Sequence, residues 1–342
     1  MTTIKDALAK LIESESLSVS EAETAMGEII AGAATPAQVA AFLTALRMKG
    51  ETVDELTGCA LALRRGVTPV RPKRRDLVDI CGIGRNRPRT FNISTLASLV
   101  TAGAGLAVAK HGNRSAHGRC GSADLLEAMG VNLELTPQQM ADCIDQVGIG
   151  FLFAPRLQAG LENALQPAVE IGFHVILDVL EPLVNPASAE AQFVGVYAGG
   201  LTEQLAYTMR NLGVRSAYVV YGVDGLDELS TTGVNKVSRL DPEGIVATFA
   251  LDAAELGLPR ASLTDLAGGS REENVAITRA VLAGQKGPQR DIVVLNASAA
   301  LVVGGRARHL REGVKMAEES LDSGAAARKL EELIEFTRSV GQ

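Results

Sequence analysis

Three short segments of this chain concentrate the residue types that hold phosphate groups and divalent cations. The first, CGIGRNRPRTFNIST (residues 81–95), carries Gly82 and Gly84, which let a ligand approach the backbone closely. Asn92, Ser94 and Thr95 then supply neutral hydrogen-bonding groups at a helix start, where unsatisfied N–H groups favour an anion. The second, AKHGNRSAHGRCGSADLLEAMG (residues 109–130), crowds Lys110, His111, Asn113, Arg114 and Ser115 together and places Gly121-Ser122 before another helix. The third, YGVDGLDELSTTG (residues 221–233), clusters Asp224, Asp227 and Glu228 between glycines. Each segment has a plain reading when taken singly: a turn, a solvated surface charge, an acidic helix cap. Jointly they describe a phosphate cleft faced by hard carboxylates, which is how Mg²⁺ clamps a diphosphate while water fills its remaining positions.

Such a site needs strands that end together, because ligands of open parallel sheets bind beyond the carboxyl ends of the strands. From Leu77 onward short apolar runs alternate with helical patterns: Leu77 to Ile80, Leu106 to Ala109, Phe173 to Leu180, Phe193 to Tyr197, Ala217 to Tyr221 and Ile292 to Leu295. Read as strands, they predict βαβ units and a mostly parallel central sheet covered by helices. The first 65 or so residues follow a different pattern. Ser18 with Glu21 and Thr52 with Glu55 form capping boxes, and Thr35-Pro36 pairs an N-cap with proline at the first helical position. Behind these caps, apolar residues recur at helical spacing: Ile4, Leu8, Leu11 and Ile12; Val39, Phe42, Leu43 and Leu46; Val53, Leu56, Ala60 and Leu63. The charged segment RPKRR (residues 71–75) separates the two patterns. The fold expected is therefore α/β, with a small N-terminal α-helical domain over residues 1–70 and a large α/β domain over 71–342.

Composition bounds the partners. With 342 residues, 46% of them hydrophobic and 21% charged, the chain can bury a sizeable core. A net charge of −7 opposes general capture of nucleic acid or an anionic membrane, which reward positive potential. No apolar run approaches the roughly 18 residues a membrane span requires, and the start lacks a signal-peptide core, so a cytoplasmic protein is expected. Cys59, Cys81, Cys120 and Cys143 show neither C-x-x-C pairing nor a His at ligand spacing, and are expected as reduced thiols.

KHGNR followed by GSADLLEAMG, preceded by TFNIST and followed by FAP, PLVNPA, GVDGLDELSTTG and DIVVLNASAAL, resembles the anthranilate phosphoribosyltransferase family; so does TPAQVAAFLTALRMKGETVDEL near the N-terminus. The resemblance runs in order along nearly the whole chain. It implies transfer of phosphoribose from phosphoribosyl diphosphate to a small aromatic nitrogen acceptor, anthranilate by default, with Mg²⁺ as cofactor and a homodimer formed through the helical domain. Carried over by motif, it implies that Gly82, Gly84, Asn92, Ser94, Thr95, Lys110 and Ser122 bind phosphoribosyl diphosphate. It further implies that Ser94, Asp227 and Glu228 hold Mg²⁺, that His111, Gly112 and Asn113 face the acceptor, and that Lys110 and Asn113 serve catalysis. Displacing diphosphate builds positive charge on the sugar and negative charge on the leaving group, so Mg²⁺, Lys110 and aligned N–H groups suffice without a protein nucleophile.

The chain departs from the family's pattern at both ends of the expected site. The family's GTGGDG becomes Gly82-Ile83-Gly84-Arg85-Asn86-Arg87, and its SSxSGSAD becomes a segment with His117 and Arg119. At the acceptor end, HPA becomes Gln158-Ala159-Gly160, paired arginines become Ala168 and Val169, and a later Arg-Thr becomes His174-Val175. Losing a bidentate guanidinium–carboxylate contact costs on the order of 2–4 kcal/mol. Arg156 and His174 are the nearby candidates to replace it. The added arginines also define an alternative of another class: a non-catalytic relative binding nucleic acid or another polyanion through Arg85, Arg87, Arg89, Arg114 and Arg119.

Overall fold

A computed structural model describes residues 3–83, 90–115, 120–158 and 160–341 of the chain. Four helices open it: α1 (Ile4–Ile12), α2 (Val19–Ile30), α3 (Pro36–Lys49) and α4 (Val53–Gly66). The three expected caps form, with Ser18, Thr35 and Thr52 accepting from the backbone of Glu21, Gln38 and Glu55. Thr3 and Asp6 make a fourth box at the start of α1. Of the residues expected on the inner faces, Phe42, Leu43, Leu46, Leu56 and Ala60 are wholly buried, whereas Ile12 is 71% exposed.

The remainder is a seven-stranded sheet of order β3-β2-β1-β4-β5-β6-β7. Its strands are β1 (Leu77–Gly82), β2 (Ala107–Gly112), β3 (Ile149–Phe153), β4 (Ala191–Gly195), β5 (Ser216–Gly222), β6 (Val234–Leu240) and β7 (Val246–Asp252). Strands β1 to β5 run parallel, and β6 and β7 add an antiparallel edge. The connecting and covering helices are α5 (Ile93–Gly103), α6 (Ser122–Met129), α7 (Pro137–Val147), α8 (Glu162–Ile171), α9 (Ile176–Leu180), α10 (Leu201–Asn211), α11 (Arg271–Leu282), α12 (Pro288–Val303), α13 (Leu310–Asp322) and α14 (Ala325–Val340).

Alternation along the parallel strands sends side chains to opposite faces and into three cores, the smallest formed by Leu77, Ala107, Ala109 and Leu152 with α7. Val78, Ile80, Val108 and Phe193 join α5, α12 and α14 in one. Val194, Ala217 and Val219 join α2, α3 and α4 in another, which also takes in Ala164, Ile176 and Leu180 of α8 and α9. Arg64 of α4 fastens this side by donating to the Leu183 and Leu212 carbonyls at 2.7 and 3.0 Å.

Two expected strands are helices. The apolar run in Phe173 to Leu180 folds as α9 because the Asp178 carboxylate accepts from the Val175 N–H and caps the turn. Ile292 to Leu295 lies inside α12, which Pro288 starts and whose residues are buried nearly all round, so no amphipathic period marks it as helical. Strands β3, β6 and β7 were not among those expected.

Candidate functional site

The C-terminal ends of β1 and β2 and the loop after β5 bring the predicted groups together. On β2, Lys110 is 3% exposed, and its Nζ donates to the Ile80 carbonyl at 2.8 Å and to Ser94 Oγ at 3.4 Å. A buried ammonium keeps its charge only where oxygens surround it, and here β1 and the start of α5 supply them. The acidic loop closes over the same place. A Cβ on Gly82 would come within 2.8 Å of Asp227 Oδ2, and one on Gly195 at the end of β4 would overlap the Asp227 backbone. These two glycines therefore let the loop seat directly on the strand ends.

Asp227 and Glu228 are both 6% exposed. Burial, with the Asp227 charge beside it, pushes the Glu228 carboxyl well above the usual carboxylate range, while Lys110 and the Ser94 N–H pull it down. Glu228 Oε2 is buried without a hydrogen-bond partner among the described residues. An orphaned carboxylate oxygen next to a second carboxylate and the Ser94 hydroxyl is a hard-oxygen donor set that fits Mg²⁺. No group of three His, Cys, Asp or Glu side chains placed to hold a metal ion occurs among the described residues, so any such ion would draw its other ligands from substrate and water. Asp224, grouped with this pair on sequence, does something else: Ser230 Oγ donates to it at 2.6 Å, Thr232 also bonds it, and the carboxylate ties its own loop.

The remaining predicted groups line the same edge. Asn92 precedes α5; its amide donates to the Cys120 carbonyl and accepts from Asn274, both at 3.0 Å, linking the first two loops to α11. Thr95 is 2% exposed and lies with Leu99 and Phe151 beneath the site. Gly112 allows close approach of Ser122, whose hydroxyl donates to the Asn113 carbonyl at 3.3 Å. The Asn113 side chain is exposed, with Oδ1 accepting from the Arg114 N–H at 2.7 Å. Gly84, Arg85, Asn86, Arg87, Arg89, Ala116, His117, Arg119 and Ala159 lie outside the described residues. Arg114 is not a free cation at the mouth: it makes a two-pronged pair with Glu127 at 2.8 and 2.9 Å and reaches Asp124 at 3.2 Å.

Behind the loops lies a polar layer that sequence reasoning missed. Asp79 on β1 accepts from the His111 N–H at 3.2 Å and from Asn185 Nδ2 at 2.8 Å, and Asn185 also donates to the Ala109 carbonyl at 2.8 Å. Burial pushes the Asp79 carboxyl up to about 6, although Asn185 and Lys110 pull it down. Burial and the Lys110 charge lower His111 to about 4, leaving a neutral imidazole at pH 7. The signal available was an aspartate inside the apolar run LVDI, together with the asparagine of PLVNPA.

At the acceptor end His111 Nε2 lies 3.3 Å from the Gln158 amide nitrogen. Arg156 is ion-paired with Glu134, and His174 bonds Asp178 at 3.0 Å while stacking on Tyr197 with ring centroids 4.6 Å apart. His174 thus belongs to a helix start, not to the strand expected for it. Ala168 packs against the helical core, and Val169 is 73% exposed.

Comparison with known proteins finds similar chains along nearly the whole length. Residues 5–66 match the helical bundle domain of a glycosyl transferase family, and residues 74–327 match its a/b domain. A relative from Moorella thermoacetica named anthranilate phosphoribosyltransferase is 50% identical over 98% of this chain and 99% of its own length. The crystal structure of the protein of that name from Thermus thermophilus superposes with a TM-score of 0.92 at 41% identity, covering 97% of this chain and 99% of its own. The Saccharomyces cerevisiae protein in complex with PRPP and Mg has a TM-score of 0.89 at 26% identity, covering 98% of both chains.

Proposed function

This chain belongs to the anthranilate phosphoribosyltransferase family, and on that premise we propose that it transfers phosphoribose from phosphoribosyl diphosphate to a nitrogen acceptor, releasing diphosphate, with Mg²⁺ as cofactor. The observation that carries the reading is the set of buried Lys110, Asp227 and Glu228, with half-buried Ser94, at the shared end of β1, β2 and β5. Asp227, Glu228 and the Ser94 hydroxyl would hold Mg²⁺, which when bound neutralises charge on the diphosphate. Lys110 supplies a fixed positive charge where the leaving group becomes more negative, and needs no reorganisation as the reaction proceeds. The start of α5 and the Gly82 backbone position the phosphates. Asn113, with His111 and Gly112, holds the acceptor nitrogen beside C1 of the ribose, so that proximity provides much of the remaining acceleration.

Anthranilate is the acceptor that the relatives' names point to, and an aromatic amine or heterocycle without a carboxylate is the variant favoured by the missing arginines. Steady-state assay with both substrates varied tests this. Turnover of phosphoribosyl diphosphate with an aromatic amine is expected; diphosphate release with none of them would overturn it. The polyanion-binding alternative is not favoured, because its one described arginine, Arg114, is already neutralised by acidic neighbours.

The division into residues 1–70 for dimerisation and 71–342 for substrate binding and catalysis is part of the same proposal. Ile12, Met48, Leu165 and Val169 are exposed apolar side chains on α1, α3 and α8, of which α3 packs on both others, and exposed apolar side chains there suit a two-fold contact. Light scattering should give twice the chain mass, and a monomer would refute it. A cytoplasmic location fits this chemistry; no described helix is long and apolar enough to cross a membrane.

A further inference from the structure

A second cavity, of about 600 Å³, opens at the other end of the sheet, between the start of β5, the β6–β7 hairpin, the end of α12 and the start of α13. About 20 Å of strand separates it from the loops of the transfer site. Its floor is apolar and aromatic: Tyr218 of β5 and Phe249 of β7 meet edge to face, with ring centroids 6.2 Å apart, beside Leu240, Leu256 and Val303.

Its rim is basic. Arg215, Arg239, Arg308 and Arg311 all line it, against a single acidic residue, Asp241. That carboxylate is occupied, since its Oδ1 accepts from the Glu243 and Ile245 N–H groups at 3.1 and 2.9 Å to close the hairpin turn. Arg239 is 3.8 Å from Asp241 and Arg215 is 3.8 Å from Glu190, beyond direct hydrogen bonding. Arg308 is paired with Glu312, whereas Arg311 makes no ion pair among the described residues. His309 caps α13 by accepting through Nδ1 from the Glu312 N–H, and in the neutral ring this leaves Nε2 to donate.

We propose that this cavity binds a small aromatic anion, its ring against Phe249 and Tyr218 and its carboxylate or phosphate held by Arg239 and Arg311. Volume, wall and rim agree on that class. About 300–1,000 Å³ is the usual range for a small-molecule site, an apolar floor takes a ring, and guanidinium groups recognise carboxylate and phosphate in two-pronged fashion. The site is independent of phosphoribosyl transfer.

Calorimetry on the full chain with 1-naphthoate, 1-naphthyl phosphate, naphthalene-1-methanol and inorganic phosphate tests it. One molecule of naphthoate or naphthyl phosphate should bind per chain, and whichever binds more tightly identifies the anionic group. The neutral alcohol and inorganic phosphate should each bind at least about tenfold more weakly. Arg239→Ala with Arg311→Ala, and separately Phe249→Ala, should each weaken the aromatic anion on the order of tenfold, and the exposed arginine pair should do so with the melting temperature of the chain nearly unchanged. Absence of binding, or binding that is unchanged in both variants, would overturn the proposal.

Discussion

The donor and acceptor ends of the transfer site are built from different kinds of backbone. At the donor end, Lys110 and Ser94 hang on adjacent strand and helix ends, and Gly82 and Gly195 let the acidic loop that carries Glu228 seat on them. At the acceptor end, Gln158, Ala168 and His174 sit on a connector that runs through short helices between β3 and β4. Buried charges at the first end are mutually dependent, so one change disturbs the whole set. Contacts at the second are local and partly exposed, so residues can exchange there without unfolding the sheet.

That contrast is sharpest at Lys110. Lys110→Met removes the positive charge that faces Glu228 and leaves two buried carboxylates without it, a loss of about 3–5 kcal/mol. The variant should lose at least about 10²-fold in kcat/KM, and unfolding should show lower stability. Wild-type turnover by Lys110→Met would break the claim that the donor end depends on that charge.

Next in size is a pH effect from the polar layer joining the two ends. His111 is held near 4 against an ordinary 6.5, so the stability it contributes is present above about pH 6.5 and lost as the pH falls towards 4. Asp79 is raised from 3.8 to about 6, so the folded chain takes up a proton first and gains stability over the fall from 6 to 3.8. Between pH 6 and 4 the two nearly cancel. Asp79→Asn removes one side of the balance, and its stability relative to the parent should fall by about 1.4 kcal/mol for each pH unit lowered through that window. Urea denaturation at pH 6, 5 and 4 measures this, and parallel curves would contradict it.

How much of this was legible in the sequence follows the same division. The donor residues were visible because glycines, a lysine and paired carboxylates follow strand-like runs, and local order alone places such groups at strand ends. The caps at Ser18, Thr35 and Thr52 were legible for a similar reason, each being a contact over three residues. What was not legible depends on distant packing. Asp79 meets Asn185 across 106 residues, and Asn296 holds the backbone of Leu229, next to Glu228, across 67. The segments around Ile176 and Ile292 carry short apolar runs, which suit a buried helix as well as a strand. Arg114 read as a cation for the ligand because the acid that neutralises it, Glu127, lies a helix turn beyond the loop.

The smallest expected effect lies at the acceptor end. Ala168→Arg should improve the apparent affinity for anthranilate by about 1–2 kcal/mol without much changing that for phosphoribosyl diphosphate, because an arginine without its supporting neighbours is poorly preorganised. A KM for anthranilate that does not change would place carboxylate recognition elsewhere on the connector.

Calorimetry with phosphoribosyl diphosphate, in the presence and absence of Mg²⁺, tests the central claim most directly, because it interrogates the donor end without any acceptor. Binding at a Kd below about 1 mM with Mg²⁺, weakened on its removal and weakened again in Glu228→Gln, is the predicted result. No heat of binding with Mg²⁺ present, from a chain shown to be folded, would contradict it.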